Sequence, residues 1–229
     1  MYVLALETSG RIGSIALLRA TADGVGLVEE RTLPASERTA RSLLPSVQSL
    51  LADHSWKAAD LELVATTTGP GSFTGLRIGV VAAKTLSYAL GAKLVGVHTL
   101  AAMAANIDVQ PRPVWTILDA QREELFVARF EQGVDLAAVA APPTEILSIA
   151  DWLARLQPGD VVAGPPLTKL RERVPAGVDV IDEALWHPSA AATGRLAIEL
   201  AGRGVTTPPL ELVPHYYRKS AAEEKAAAP

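Results

Sequence analysis

The chain has 229 residues, 49% of them hydrophobic and 20% charged, which suits one large domain or two of about 100 residues each. With 25 acidic residues against 21 basic ones the net charge is −4, a poor endowment for gripping a phosphate backbone unaided. The absence of cysteine excludes disulfides, thiolate nucleophiles and Cys-ligated zinc together.

Residues 2–6 form a continuous apolar run, the pattern of a strand buried on both faces. The opening MYVLALETSG has neither the basic nor the apolar region of a signal peptide. No apolar run approaches the ~20 residues that span a bilayer, so a cytoplasmic protein without membrane contact is expected. A polar turn over 7–10 leads to strands over 12–18 and 25–33, antiparallel because loops this short cannot carry a parallel crossover. A helix is expected over 37–53, where Leu43, Leu44, Val47, Leu50 and Leu51 make one apolar stripe at helical period. Pro45 cannot donate to the Arg41 carbonyl, which predicts a kink or a helix starting near Ser42. Strand 61–65, helix 74–90, strand 93–97 and short helix 99–105 complete the order βββαβαβα.

The order then repeats without residue identity. Strands over 114–118, 124–130 and 134–140 form a second meander, followed by helix 144–155, strand 160–163, a short helix over 167–173, strand 178–181 and helix 189–203. This predicts a subdomain over 1–108, a second over 109–217, a proline-rich extended segment over 205–217, and a disordered tail over 218–229.

The segment TTTGPGSFTGLRIGVVAAK, over 66–84, joins a strand to a helix through glycines, and such loops can hold an anion with their amides. It is neither a P-loop nor a dinucleotide fingerprint, because both require glycine where Thr74 stands. Its helix carries Gly75, Gly79, Ala83 and Ser87 at i+4 intervals, a seam that admits close packing against the chain's own sheet or a partner helix. Gly79→Leu separates the two: unfolding marks an inward seam, loss of binding an outward one. Ser72 is placed to cap this helix. Arg77 and Lys84 share one of its faces and read as solvated charges.

Catalytic constellations are sparse. His54, His98, His187 and His215 are scattered without the spacing of a helical metal site, and neither Ser9 nor Ser72 has a local base. Glu7-Thr8-Ser9 and Asp119 fall in matching hairpin turns of the two halves. Facing each other, the carboxylates can hold Mg²⁺ while Gly69, Gly71 and Ser72 wrap phosphates. The second turn carries Gln121, Arg122, Glu123 and Glu124, whose bulk and charge crowd phosphate, so the clamp reads as vestigial.

Paired βββαβαβα halves of RNase H-like order, with acidic hairpin turns, resemble the α/β fold of actin, sugar kinases and Hsp70. Within it, LALETSGRIGSIALL, SLLPSVQSLL, GPGSFTGLRIG, ILDAQREELFVARF and VPHYYRKSAAE resemble the TsaB (YeaZ) family of tRNA threonylcarbamoyladenosine biosynthesis proteins. The related catalytic subunit TsaD carries a metal-binding histidine pair; here Thr99 and Met103 stand in those places, with His98 one position off. The resemblance thus implies a non-catalytic scaffold without metal or cofactor of its own. Its partners would be a TsaD-like catalytic subunit, which would hold the metal, and a TsaE-like ATPase, with tRNA met only through the complex and a homodimer formed when alone. The implied interface uses Leu43, Leu44, Val47, Leu51, Gly75, Gly79, Ala83 and Ser87. The alternative is an ATP-dependent phosphotransferase of the same fold; a metallopeptidase is a third reading resting on distant kinship.

Overall fold

The computed structural model describes residues 1–107, 112–131, 135 and 142–218. Apart from Asp135, the expected strand over 134–140 lies outside the described residues, as does the tail beyond Arg218. The first half runs β1 (Tyr2–Glu7), β2 (Ser14–Thr21), β3 (Gly24–Thr32), α1 (Thr39–Asp53), β4 (Leu63–Gly69), α2 (Phe73–Leu90), β5 (Lys93–His98) and α3 (Thr99–Ala104). Its sheet has the order β3-β2-β1-β4-β5, antiparallel through the meander and parallel from β1 through β4 to β5. The second half runs β6 (Val114–Gln121), β7 (Glu124–Phe130), β8 (Glu145–Ser148), α4 (Ile149–Arg155), β9 (Val161–Ala163), α5 (Leu167–Leu170), β10 (Asp179–Val180) and α6 (Ala190–Gly202). Its sheet order, β10-β9-β6-β7-β8, is the same topology, so each half is an RNase H-like unit of the actin and sugar-kinase fold.

One local expectation is corrected, and of two alternatives left open at Pro45 one is decided. The segment expected as one helix over 144–155 begins as β8, paired antiparallel with β7, and turns helical only after Ser148 caps it by accepting from the Asp151 amide at 3.0 Å. The free edge of β7 offers this segment backbone partners that helical propensity does not outweigh. Helix α1 starts at Thr39 rather than near Ser42, which places Pro45 inside it. Arg41 and Pro45 are both exposed, so the carbonyl that loses its helical donor is left to water.

Alternation along the strands builds two cores on the first sheet. Leu4, Leu6, Ile15, Leu17 and Val64 face outward against α1 and α2. Val3, Ala5, Ala16, Leu18 and Ala65 face inward and share one cluster with Phe126, Ala128 and Phe130 of the second sheet. Helices α3 and α6 fill this shared layer crosswise: α3 reaches β6 and β7, and α6 lies on β1, β2, β4 and β5. Gly194 lets α6 approach, since a Cβ there would lie 2.3 Å from Leu18 Cδ1. A third cluster under α4 and α5 is anchored by Trp152 and Trp186.

The small-residue seam of α2 faces this chain's own sheet and is not an outward face. A Cβ on Gly75 would lie 2.0 Å from the Thr8 carbonyl oxygen, and one on Gly79 would lie 2.2 Å from Thr8 Oγ1. Ala83 is fully buried, and Ser87 Oγ donates to the Ala92 carbonyl at 2.6 Å. On α1, Leu43, Val47 and Leu51 are likewise buried, so Leu44 alone among the expected interface residues is exposed. Gly79→Ala is expected to destabilise by about 1–3 kcal/mol in urea melts, because Thr8 is held from both sides and cannot yield. Gly79→Leu is expected to be insoluble.

Candidate functional site

The turn after β1 is clasped by the start of α2. Ser72 donates its amide to the Ser9 carbonyl at 2.7 Å, Thr8 Oγ1 donates to the Gly75 carbonyl at 2.8 Å, and Ser72 Oγ caps the helix by accepting from the Gly75 amide at 3.2 Å. The loop glycines serve this clasp: a Cβ on Gly71 would lie 2.6 Å from the Ser9 carbonyl oxygen. Gly69, at φ +128°, has a backbone closed to side-chain-bearing residues, and a Cβ there would lie 2.5 Å from the His215 carbonyl oxygen. Glycine therefore admits the chain's own backbone at each of these positions.

Glu7 is sealed beneath this turn. Its Oε1 accepts from the Ser9 amide at 2.6 Å, from Ser9 Oγ, and from Thr67 Oγ1 at 3.4 Å. Burial raises its pKa to about 7, against the lowering effect of those donors. A carboxylate held this way is turned from the cleft. Asp119 stands on the opposite wall, exposed, with Oδ1 accepting from the Gln121 amide at 2.7 Å. Gln121, Arg122 and Glu123 all adopt left-handed backbone, with φ of 66°, 57° and 61°, which folds this turn tightly at the cleft mouth.

Between the turns lies a cleft of about 680 Å³, lined among others by Ser9, Gly71, Ser72, Asp119 and Gln121. Glu7, Thr8 and Gly69, expected to line it, do not; the clasp has drawn them inward. The proline-rich C-terminal segment also lines it, with His215, Tyr216, Tyr217 and Arg218. No local pattern in the sequence announced this, because the partners lie more than a hundred positions away: Lys84 Nζ donates to the Leu210 carbonyl, and Arg77 Nε to Tyr216 Oη at 2.8 Å. These are the two cations that read as solvated. Arg218, expected in a disordered tail, donates to the Ala120 carbonyl and pairs with Glu124.

His98 ends β5 in the interior. Its Nε2 meets Tyr217 Oη at 2.8 Å and Thr144 Oγ1 at 3.0 Å, while Nδ1 has no partner. Desolvation, with His215 nearby, lowers its pKa to about 3, so it is neutral. Among the described residues no three His, Asp or Glu side chains converge as a metal cage, and no helix is long and apolar enough to cross a membrane.

A second concavity, about 440 Å³, runs between α1 and α2. Ala40, Leu43 and Leu44 line one side, and Ile78, Val81, Ala82 and Leu86 the other, with Arg77 at its edge. Leu44 and Val81 are 52% and 61% exposed, and Tyr88, two turns beyond Val81 on the same side of α2, is 76% exposed. Large apolar side chains are thus gathered on one exposed face of the α1–α2 pair.

Residues 32–172 match the family model of TsaD, tRNA N6-adenosine threonylcarbamoyltransferase. The tRNA threonylcarbamoyladenosine biosynthesis protein TsaB of Bacillus subtilis (strain 168) is 31% identical to this chain over 98% of it and 97% of its own length. The chain belongs to the TsaB family. TsaB of Escherichia coli (strain K12) is 30% identical, over 98% of either chain. YeaZ from Pseudomonas aeruginosa superposes with a TM-score of 0.75 at 25% identity, over 94% of this chain and 99% of its own. What sets this TsaB-family chain's cleft apart from a phosphate clamp is that its glycine loop is already filled by backbone.

Two buried groups give stability opposite pH slopes. The folded pKa of Glu7 stands above its ordinary 4.5, so its contribution is complete below pH 4.5 and is lost as pH rises through about 7. A displacement of this size is worth about 3 kcal/mol. Glu7→Gln, which keeps the acceptor, is expected to lose this alkaline decline in urea melts at pH 5 and pH 8. His98 stands below its ordinary 6.5, so its contribution is complete above pH 6.5 and is lost as pH falls toward 3. His98→Gln is expected to flatten the acid limb of the same curve.

Proposed function

We propose that this chain is a non-catalytic subunit of the tRNA threonylcarbamoyladenosine machinery, and that it docks a TsaD-like catalytic subunit on the α1–α2 face. The exposed apolar groove carries this reading: Leu44, Val81 and Tyr88 stand out from helices whose inner faces are packed on their own sheet. A TsaE-like ATPase joins the assembly through that complex. ATP and metal belong to the partner subunits, and tRNA is met only within the assembly. The sealing of Glu7 and the filling of the glycine loop by backbone support a subunit that does no phosphate chemistry itself. The same face accounts for a homodimer when the partner is absent, since an apolar groove is covered in either case.

Val81→Glu tests the docking. Val81 is exposed, so the fold should be unchanged within about 0.5 kcal/mol. A carboxylate forced into an apolar interface should weaken co-purification with the TsaD-like subunit at least roughly thirtyfold, about 2 kcal/mol. Unchanged co-purification would remove this face from the assembly. The isolated chain is expected to show no MgATP binding in titration calorimetry; micromolar affinity there would favour the phosphotransferase reading.

A further inference from the structure

The segment from Thr207 to Arg218 is not a loose end. It starts fixed to the first half. Thr207 donates its amide to the Leu94 carbonyl at 2.8 Å, on the free edge of β5, and Leu212 is buried over Gly96, where a Cβ would lie 2.7 Å from Leu212 Cδ1. The His215 amide then donates to the Thr68 carbonyl at 2.7 Å, past Gly69. Only after this point does the chain cross to the second half, and it does so with two side chains. Tyr217 packs edge-on to Phe126 at 6.2 Å between ring centroids while its hydroxyl meets His98. Arg218 grips the β6–β7 turn through the Ala120 carbonyl and the Glu124 carboxylate.

Tyr216 lies between these anchor points and is held from α2. Its ring stacks on Phe73 at 4.6 Å, and Arg77 lies 3.9 Å over the Phe73 ring while donating to the tyrosine hydroxyl. Arg77 also edges the α1–α2 groove, so one side chain touches both the groove and the segment that lines the cleft.

We propose that this segment is a latch: it is anchored permanently on the first half, fastens the second half through Tyr217 and Arg218, and is coupled to the α1–α2 face through Arg77. An occupant of the groove that draws Arg77 toward itself frees Tyr216, loosens the crossing, and lets the cleft open. The two halves otherwise share an inner core in which alanines such as Ala5, Ala16 and Ala128 lie beside the larger Leu18, Phe126 and Phe130. The latch is a property of the isolated chain; its control by a partner rests on the docking face proposed above.

Hydrogen–deuterium exchange on the full chain tests it. In Arg218→Ala and in Arg77→Gln, amides of 71–73 and 120–125 should exchange severalfold faster than in the parent, while those of β1, β2 and β4 keep their rates. Unchanged exchange at the cleft in either variant would overturn the latch or its coupling to α2. Equal acceleration across both sheets would also overturn it, since the segment would then be a general stabiliser. Arg218→Lys keeps the charge but cannot grip carbonyl and carboxylate together, so it should show an intermediate rate even if the alanine variant folds poorly. Val81→Glu, which touches no part of the segment, separates the two proposals: it should weaken partner binding and leave cleft exchange at the parental rate.

Discussion

The arrangement of the whole first half depends on one turn, Glu7-Thr8-Ser9, being swallowed by the start of α2. Thr8 presents its carbonyl and hydroxyl to a trough made by Gly75 and Gly79, and Ser9 lies against Gly71. None of these contacts tolerates a methyl group. The trough sets how close α2 can come to β1 and β4, and that closeness decides which face of α2 is left for solvent. The apolar groove with α1 is therefore a consequence of the clasp: α2 turns its small residues inward and its Val81 and Tyr88 outward.

The clasp also shapes the cleft. A strand-end carboxylate and a glycine loop are the raw material of a Mg²⁺–phosphate site, and this chain has both. It spends the Ser72 amide and the close approach on its own backbone, and it buries the carboxylate where desolvation raises its pKa to about 7. The other wall is closed by the C-terminal segment, whose Arg218 takes the carbonyl at the β6–β7 turn. The cleft is thus lined by the chain's own C-terminal segment and by the turns of both halves.

The halves are bound by exchange as well as by contact. Helices α3 and α6 each close a layer that the other half also lines, so neither sheet has an inner face of its own. Glu7 and His98 end β1 and β5 of the same sheet, one favouring acid and the other base, so their opposing slopes cancel between pH 4.5 and 6.5 and stability from this pair is greatest there.

Much of this was legible in the residues. The continuous apolar run over 2–6, the stripe on α1 and the first meander mark their elements and their order, because period and turn chemistry act locally. The GPGSFTGLRIG stretch marks the TsaB family without reference to shape. Locality is also where legibility ended. The segment over 145–148 was decided by an open strand edge, and the direction of the Gly75–Ser87 seam by Thr8, some seventy positions earlier in the chain. Arg77, Lys84 and Arg218 looked free because their partners lie about a hundred positions away or more. The sequence by itself determined which elements form and to which family they belong. Only the tertiary structure decided which faces are spent internally, because that depends on contacts between residues whose separation along the chain carries no periodic signal.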